Sequence, residues 1–357
     1  MKIIITGSLG YIGSVLTGYL EKAGHTCVGY DTGFFTDCLL YPPSASQVHF
    51  KDARDLNEED LVGADAVVHL AGIANDPMGN LDVGKIYDPT RAYALHLAKI
   101  CKNQGIKFIF ASSCSVYGKS EGQLVNEDSP LFPQTPYSLN KVQVEEDLKS
   151  LSDNTFSPIA LRLATVFGLS PRIRFDTVTN MFTGMAVTDR KIILNSDGTP
   201  WRPIVHVLDV CRAIQCSIDF DYQGSELLVL NVGDETNNLQ VIDIAKVVSD
   251  IVPNCELGSL VNDASLDKEG LIRDRKVKGG VDSRSYRVSF EKIRKILPGF
   301  SSEWSVEQGV QEMSDFFEKL PLTREIFKQK GFYRLQELEY LYENKYLSDE
   351  LRWLKTR

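Results

Sequence analysis

The stretch MKIIITGSLGYIG, residues 1–13, decides the fold of this chain. Ile3–Ile5 is an apolar run without polar alternation, which is typical of a strand buried on both faces of a parallel sheet. A glycine-rich turn follows the strand, and a helical pattern then runs from about residue 11 to residue 22. The order of strand, turn and helix predicts the first unit of an α/β fold.

Three glycines in this turn have the spacing G-x-x-G-x-x-G, at Gly7, Gly10 and Gly13. Glycine lets the backbone turn tightly and approach a pyrophosphate, and the helix that follows offers free N–H groups and a positive dipole end. Because the motif stands between a strand and a helix, it predicts a dinucleotide site. The predicted contacts include the two residues inside the turn, Tyr11 and Ile12.

Strand and helix patterns continue to alternate along the chain. Strands are predicted at 27–30, 66–70, 106–111 and 159–163, and helices at 90–103 and 137–151. Alternation of this kind, with continuously apolar strands, predicts a Rossmann-type doubly wound parallel sheet. We expect the dinucleotide-binding domain to cover 1–168, with some later elements of the sheet interleaved. A smaller substrate-binding domain would cover mainly 169–320, followed by a helical extension over 321–357.

Composition narrows the classes of partner. The net charge is −9 and the sequence pI about 5.2, so the global positive field that attracts nucleic acid or anionic membranes is missing. No apolar run is long enough for a spanning helix, and the N-terminus lacks a signal-peptide pattern. Seven cysteines without a CxxC motif favour a reduced, cytoplasmic protein without a metal site.

Asp31 stands at the end of the second predicted strand, 18 residues after Gly13. A carboxylate there accepts hydrogen bonds from adenosine ribose hydroxyls and repels a 2′-phosphate, which favours NAD over NADP. Asp52 is a candidate acceptor for the adenine amino group. His69 is interpreted as a core residue. The remaining predicted cofactor contacts are Ala53, Leu70, Ala71 and Gly72.

Tyr137 and Lys141 form a Y-x-x-x-K pair on a predicted helix, where residues four apart share a face. A lysine ammonium and a nicotinium charge both favour tyrosinate, so the pair can move a proton to or from a hydroxyl while hydride goes to nicotinamide. The strand before this helix runs into SSCSVYG at 112–118, whose hydroxyls lie where a substrate oxygen would be bound.

The glycine motif, Asp31, SSCSVYG and YSLNK together resemble the extended short-chain dehydrogenases/reductases, in particular the nucleotide-sugar epimerase/dehydratase group. The SPRIRFD run at 170–176, the SDGTPWRP run at 196–203 and the C-terminal tail together look like a bacterial surface-polysaccharide subgroup of it. The resemblance covers about residues 1–320. It implies tightly bound NAD, a nucleotide-sugar substrate and a homodimer formed through two long helices per subunit. It also implies that Tyr137 is the base, that Lys141 is its partner and a ribose ligand, and that Ser113 aligns the sugar oxygen, with Ser115 beside it.

Downstream segments extend the resemblance to substrate binding. SDGTPWRPIVHV at 196–207 resembles the family segment in which an arginine binds the diphosphate, and Arg202 matches that arginine. Arg284 resembles a second diphosphate or ribose ligand; arginine suits both roles because it stays charged and offers paired donors. Asn180 and Arg172 lie where the substrate loop begins.

Several alternatives remain open. Cys114 and Ser115 stand where sugar dehydratases of the group have an Asp-Glu pair, so a dehydratase is disfavoured. The leading hypothesis is an epimerase that transiently oxidises C4 of the sugar. A 4-dehydrogenase or ketoreductase without epimerisation has nearly the same sequence features, and a non-catalytic NAD-binding scaffold is the rival from another class.

The charged C-terminal stretch, 323–357, carries apolar residues at roughly helical spacing. We expect these residues to pack on the body of the chain itself, with a subunit contact as the alternative. They are Leu335, Leu338, Leu341, Tyr342 and Leu354.

Overall fold

The computed structural model describes residues 1–44, 47–74, 83–259 and 284–355. The strands are β1 (Lys2–Thr6), β2 (Thr26–Asp31), β3 (Gln47–Phe50), β4 (Ala66–His69), β5 (Lys107–Ser113), β6 (Lys119–Val125), β7 (Ile159–Leu163), β8 (Thr165–Phe167), β9 (Lys191–Leu194), β10 (Trp201–His206), β11 (Leu228–Val232), β12 (Asn238–Gln240), β13 (Glu256–Ser259) and β14 (Ser285–Val288).

Helices alternate with these strands over much of the chain. They are α1 (Gly13–Lys22), α2 (Val83–Gln104), α3 (Pro136–Leu151), α4 (Val178–Asp189), α5 (Val207–Asp219), α6 (Val241–Ile251), α7 (Glu291–Ile296), α8 (Val306–Lys319), α9 (Arg324–Phe327) and α10 (Arg334–Glu343).

A seven-stranded sheet in the order β11-β7-β5-β4-β1-β2-β3 forms the core of the N-terminal part. All of its neighbouring strands run parallel. Ile3, Ile4 and Ile5 of β1 are 0% exposed, which explains why the strand has no polar alternation. The predicted doubly wound sheet is confirmed, with element ends displaced by a few residues.

Strand order reverses at β1, since β2 and β3 lie on one side of it and β4 and β5 on the other. In sheets of this kind, ligands bind outside the carboxyl ends of the strands at the point of reversal. The glycine turn follows β1 at this edge, and the segments that follow β2, β4 and β5 reach the same edge. The topology therefore gathers the predicted site residues of the N-terminal half.

The smaller C-terminal part is built from short sheets and helices. Strands β12, β10 and β8 form one sheet, β13 pairs with β9, and β14 pairs with β6. Helices α4, α6 and α8 pack together over an apolar cluster that includes Phe167, Phe175 and Phe317. Strand β11 returns to the main sheet from within this stretch, which is the kind of interleaving that we expect; the limits at 168 and 320 stay predictions.

The C-terminal extension, defined here as residues 323–355, is less helical than its sequence predicts. Only α9 and α10 are α-helical, and residues 346–355 form a compact turn closed by a bridge between Leu347 and Trp353. Lys345 and Leu351 have positive φ angles of 55° and 53°, which an α-helix cannot contain. The prediction of a helix over this last part was therefore wrong.

The apolar residues of the extension pack largely on the chain itself. Leu338 and Leu341 are fully buried and Leu335 packs beside them, as expected. Tyr342 and Leu354 are exposed and do not belong to this face.

All seven cysteines are free thiols. Among the described residues, no helix combines the length and apolar character that crossing a membrane requires.

Candidate functional site

The glycine turn has the tight geometry that a dinucleotide site needs. Gly7 has a φ of 75°, and a Cβ on it would lie 2.9 Å from the amide nitrogen of Ala71. A Cβ on Gly13 would lie 2.2 Å from the carbonyl oxygen of Gly7. Side chains at these positions would therefore disrupt the turn, and their absence opens the backbone to a pyrophosphate at the start of α1.

Tyr11 and Ile12 take different places in the turn. The Tyr11 side chain is 4% exposed, and its hydroxyl donates to the carbonyl of Gly168 at 2.7 Å. Ile12 lies at the N-cap of α1. The Tyr11 ring thus ties the turn to the segment after β8, which leaves the backbone as the part of Tyr11 and Ile12 suited to the cofactor.

Asp31 lies beside the turn at the end of β2. Its carboxylate accepts hydrogen bonds from the backbone N–H of Leu9 at 3.0 Å and of Gly33 at 2.8 Å. Burial raises the pKa of Asp31, while these two donors lower it. Each carboxylate oxygen can accept more than one hydrogen bond, so the arrangement is compatible with the predicted ribose contact.

The Asp52 side chain already has partners within the protein that the sequence did not predict. It caps a short 3-10 helix that begins at Ala53, and its carboxylate forms a paired salt bridge with Arg54. The Arg54 guanidinium lies 2.5 Å from an Asp52 carboxylate oxygen. Asp52 still lies at the cofactor edge, and its contact with adenine stays a prediction.

The segment after β4 is held against β1. Leu70 donates its N–H to the Thr6 carbonyl at 3.1 Å, and Ala71 donates to the Thr6 hydroxyl at 3.3 Å. Gly72 follows, with a φ of 157°. His69 is 1% exposed, and burial lowers its pKa to about 3, so the interpretation as a neutral core residue is confirmed.

The predicted catalytic pair lies on α3, with Tyr137 in its first turn. The Lys141 ammonium nitrogen donates to the Ala111 carbonyl at 2.7 Å and lies 5.6 Å from the centre of the Tyr137 ring. Burial lowers the pKa of Lys141 to about 8, although the Glu145 carboxylate acts in the opposite direction. The lysine is thus fixed beside β5 with its charge close to the tyrosine.

Ser113 ends β5 and Ser115 follows on a one-turn 3-10 helix. The Ser113 hydroxyl accepts from the Ser115 N–H at 3.2 Å, and the buried Ser115 hydroxyl has no partner among the described residues. Cys114 donates its thiol to the Arg162 carbonyl, and burial raises the pKa of this thiol. Cys114 is therefore a packed neutral residue, unsuited to replace the acid of a dehydratase.

A buried polar network under α3 was not predicted from the sequence. Glu145 pairs with Arg162 at 2.6 Å and also accepts from the Ser112 hydroxyl. Arg162 donates to the Tyr117 hydroxyl at 2.9 Å. The spacing of Glu145, four residues after Lys141, was the available signal. The network fixes α3 to β5 and β7, and so fixes Lys141 relative to the serines.

Arg202 and Arg284 come together in the C-terminal part. Arg202, on β10, is 9% exposed and donates to the carbonyls of Trp201, at 2.9 Å, and of Arg284. The two arginines are 82 positions apart in the chain, so the fold brings together the residues predicted to bind the diphosphate. Their contact with a substrate stays a prediction.

Asn180 is 0% exposed and uses its amide group within the protein. Its oxygen accepts from the Gly168 N–H at 3.0 Å, and its nitrogen donates to the Tyr11 hydroxyl at 3.1 Å and to the Arg174 carbonyl at 3.0 Å. In this structure Asn180 therefore positions the segment after β8, and the predicted contact with substrate would require it to exchange one of these partners.

A second group that the sequence did not reveal surrounds Asp176. This carboxylate pairs with Arg174 at 2.8 Å and accepts the backbone N–H of Arg334 at 3.3 Å. The guanidinium carbons of Arg172 and Arg334 lie 4.6 and 5.6 Å from the centre of the Phe35 ring. Arg334 belongs to the C-terminal extension, so local spacing could not have linked it to the site.

No cluster of histidine, cysteine or carboxylate side chains suited to a metal ion occurs in the part of the chain that the structure describes. What the described residues provide is a glycine turn for a pyrophosphate, a carboxylate beside it, and a tyrosine–lysine pair with serine hydroxyls at the same edge of the sheet. These groups fit a nicotinamide dinucleotide together with a substrate that carries a hydroxyl.

Comparisons with known proteins agree with this geometry. The model of the NAD dependent epimerase/dehydratase family matches residues 3–233. An uncharacterized UDP-glucose epimerase, YtcB, of Bacillus subtilis (strain 168) is 26% identical over 273 residues, which cover 70% of this chain and 82% of the relative. A UDP-glucose 4-epimerase of Azospirillum brasilense is 26% identical over 255 residues, covering 65% and 72%.

Solved structures share the fold. An NAD-dependent NDP-hexosamine 5,6-dehydratase, TunA, has a TM-score of 0.74 at 21% identity and covers 89% of this chain and 98% of its own. The UDP-glucuronic acid 4-epimerase from Bacillus cereus, in complex with UDP-glucuronic acid and NAD, has a TM-score of 0.71 at 23% identity, covering 90% and 100%. The match over residues 3–233 shows that this chain belongs to the NAD dependent epimerase/dehydratase family.

Proposed function

We propose that this enzyme epimerises a nucleotide sugar at C4 by transient oxidation with retained NAD. The observation that carries the proposal is the position of Lys141: its ammonium nitrogen is fixed 2.7 Å from the Ala111 carbonyl and lies beside the Tyr137 ring, at the sheet edge that also holds the glycine turn. NAD, when bound, accepts and returns the hydride.

Tyr137 takes the proton of the C4 hydroxyl and later returns it. The Lys141 ammonium favours the tyrosinate form because an opposite charge nearby stabilises an anion. Ser113 aligns the sugar oxygen at the end of β5, and Ser115, whose hydroxyl has no other partner among the described residues, assists from the next turn. The keto sugar then rotates and is reduced on its other face, which inverts C4.

Arg202 and Arg284 hold the diphosphate of the substrate, and Asn180 and Arg172 border the sugar. A paired anchor of two arginines suits a diphosphate because each guanidinium offers several fixed donors and remains charged. Relatives named UDP-glucose 4-epimerases and a neighbour solved with UDP-glucuronic acid make UDP-hexoses and UDP-hexuronic acids the first substrates to test.

Asp31, and Asp52 beside Ala53, bind the adenosine half of NAD, while the backbones of Gly7, Gly10 and Leu70–Gly72 line its path. An acidic residue at the ribose disfavours a 2′-phosphate, so NAD is expected to be preferred over NADP. Two copies of the chain would pair through α2 and α3. Within one chain these two helices pack against each other, and the Arg91–Asp147 ion pair at 2.6 Å joins them.

The test is conversion without added cofactor. Purified enzyme is incubated with UDP-glucose, UDP-galactose or UDP-glucuronic acid, and the nucleotide sugars are separated by chromatography. Interconversion of C4 epimers, with NAD recovered from the denatured protein, is the expected result. If the enzyme instead consumes external NAD+ in step with substrate, the 4-dehydrogenase alternative is correct. If it converts only a 4-keto nucleotide sugar and consumes external NADH, the ketoreductase alternative is correct. A dehydrated product would point to acid and base groups other than Cys114 and Ser115.

A further inference from the structure

The C-terminal extension, residues 323–355, lies beyond the part of the chain that the family model matches. It nevertheless returns to the carboxyl edge of the main sheet and contacts the segments that follow β2, β3 and β4. Asp31 is the last residue of β2, and the segments after β3 and β4 carry Asp52 and Leu70–Gly72. A part of the chain outside the family core therefore closes on the predicted cofactor site.

Trp353 and Arg352 fasten the end of the extension. The Trp353 indole N–H donates to the Thr32 carbonyl at 2.6 Å, immediately after Asp31, and the ring packs edge-on against Phe34 with centres 5.3 Å apart. Arg352 donates two hydrogen bonds to Asp55, at 2.6 and 2.9 Å. The attachment thus reaches the segments that follow both β2 and β3.

Arg54 links the end of the extension to Asp52, the residue predicted to contact adenine. One of its terminal nitrogens donates to the Glu350 carbonyl at 2.6 Å, and the other donates to the Leu351 carbonyl at 3.1 Å. The same guanidinium pairs with the Asp52 carboxylate. Movement of the extension would therefore free the group that now orients Asp52.

An apolar cluster lies beneath these polar contacts. Its buried members are Phe34 from the segment after β2 and Leu338, Leu341, Leu347 and Leu351 from the extension. Tyr137 packs at the rim of this cluster. Displacing the extension would expose these leucines to water, so the closed arrangement is stabilised by burial as well as by hydrogen bonds.

Arg334 places a charged side chain of the extension against the segment that follows β4. Its guanidinium donates to the Ala74 carbonyl at 3.1 Å, its side chain is mostly buried, and its Nε has no partner among the described residues. Burial and the neighbouring Arg174 charge lower the pKa of Arg334 to about 9. A bound anion at this edge would offset the cost of burying that charge.

We propose that the C-terminal extension is a lid of the cofactor site, which holds NAD in its cleft from one turnover to the next. The inference deepens the proposed function, because an epimerase that returns its own hydride needs a cofactor that stays bound. Release of the dinucleotide would require the extension to leave the segments after β2, β3 and β4. The lid therefore acts on the rate of release.

The experiment measures release of labelled NAD. The enzyme is loaded with isotopically labelled NAD+, chased with excess unlabelled NAD+, and the retained label is followed by rapid gel filtration. Two variants undock the lid: the double substitution Trp353→Ala, Arg352→Ala, and a chain that ends at Asn344. The control is Arg324→Ala, which removes an ion pair of the same extension with Asp189 at 3.0 Å, away from the cofactor segments.

We expect both undocked variants to release label about tenfold faster or more, since changes at one interface act mainly on dissociation. The control should stay within about twofold of the parent enzyme, as for an exposed ion pair. Circular dichroism checks folding, and if the shortened chain does not fold, the double substitution decides.

Folded variants that release label at the parent rate overturn the lid, as does a parent enzyme that retains no label during the chase. Conversion of nucleotide sugars, assayed on the same preparations, separates this result from the proposed function. Faster release with no conversion by the parent supports the lid and contradicts the epimerase. If the folded variants release label at the parent rate and the parent enzyme converts nucleotide sugars normally, the result supports the epimerase and contradicts the lid.

Discussion

Helix α3 carries Tyr137 and the C-terminal extension packs against it, but the contacts that place their residues differ in sequence separation. In α3 the functional groups follow one another at helical spacing, from a capping box at Thr135 and Ser138 to Lys141 and Glu145. In the extension, Trp353 bonds to a residue 321 positions away. Chemistry that depends on short spacing can be recognised in a sequence, whereas enclosure of a site depends on contacts that only the folded chain makes.

Tyr137→Phe should have the largest effect on turnover, and it tests the catalytic role assigned to α3. Removing the phenolic hydroxyl removes the proton acceptor, so turnover is expected to fall by about 10²–10⁴-fold. The phenylalanine ring still packs against the apolar cluster of Phe34 and the leucines of the extension. The amount of NAD that stays bound to the purified protein should therefore be unchanged. Chromatography of nucleotide sugars and NAD content after denaturation measure the two effects.

Tyr342→Phe is the matched control for this change. Its hydroxyl donates to Asp349 at 3.0 Å within the extension and lies at the surface. Turnover should therefore stay near that of the parent enzyme. A Tyr137→Phe enzyme that keeps more than about a tenth of parent turnover would show that another group moves the proton.

Two arginines that pair with acids on α3 test how that helix is held. Arg162 pairs with Glu145, and both side chains are nearly fully buried, whereas Arg91 pairs with Asp147 at the surface. Arg162→Met leaves a buried carboxylate unpaired and should lower the free energy of unfolding by about 3–5 kcal/mol. Arg91→Met should cost about 0–1 kcal/mol. Urea unfolding followed by circular dichroism gives both values, and equal losses would contradict the assigned role of burial.

Two fully buried leucines sharpen the contrast between core and lid. Leu148 of α3 and Leu341 of the extension are each 0% exposed. Truncation of either leucine to alanine should cost about 2–5 kcal/mol of the free energy that its packing contributes. For Leu148→Ala we expect a loss of global stability, and for Leu341→Ala a local opening of residues 334–355. Hydrogen exchange distinguishes the two, because a local opening speeds exchange in the extension alone. Faster exchange of α3 in Leu341→Ala would show that lid and core unfold together.

The sequence predicted what rests on local pattern. Apolar runs such as Ile3–Ile5, the glycine spacing and the Tyr137–Lys141 spacing each depend on neighbours within a few residues, so the sheet and the candidate catalytic pair could be located. The bonds from Arg54 to the Glu350 and Leu351 carbonyls, and the bond from Arg334 to the Ala74 carbonyl, depend on where the extension returns in space.

The end of the extension shows how a local rule fails. The stretch 323–357 is heavily charged and carries apolar residues such as Leu338, Leu341 and Leu354 at roughly helical spacing, so a helix was expected. Instead the Leu351 carbonyl accepts from Arg54, and the backbone turns at Leu351 with a φ of 53°. Contacts with the segments after β2 and β3 outweigh helix propensity, which amounts to only a few tenths of a kcal/mol per residue.

Lys141 is the residue at which stability and turnover are expected to move in opposite directions. Burial lowers its pKa from 10.5 to about 8, so between these values the unfolded chain binds more protons than the folded one. Stability contributed by this group therefore rises with pH across that window, and below it the buried charge costs free energy. Turnover needs the charge, and should decline as pH rises through about 8.

Lys141→Met keeps a linear apolar stem without the charge. At pH 7 it should raise the free energy of unfolding of the NAD-free protein by about 1–3 kcal/mol, an advantage that fades towards pH 10, while turnover is lost. Urea unfolding at the two pH values measures the difference. If the variant is less stable at both, the hydrogen bond from Lys141 to the Ala111 carbonyl contributes more than the burial of the charge costs. The cation would then hold α3 in place as well as favour the tyrosinate.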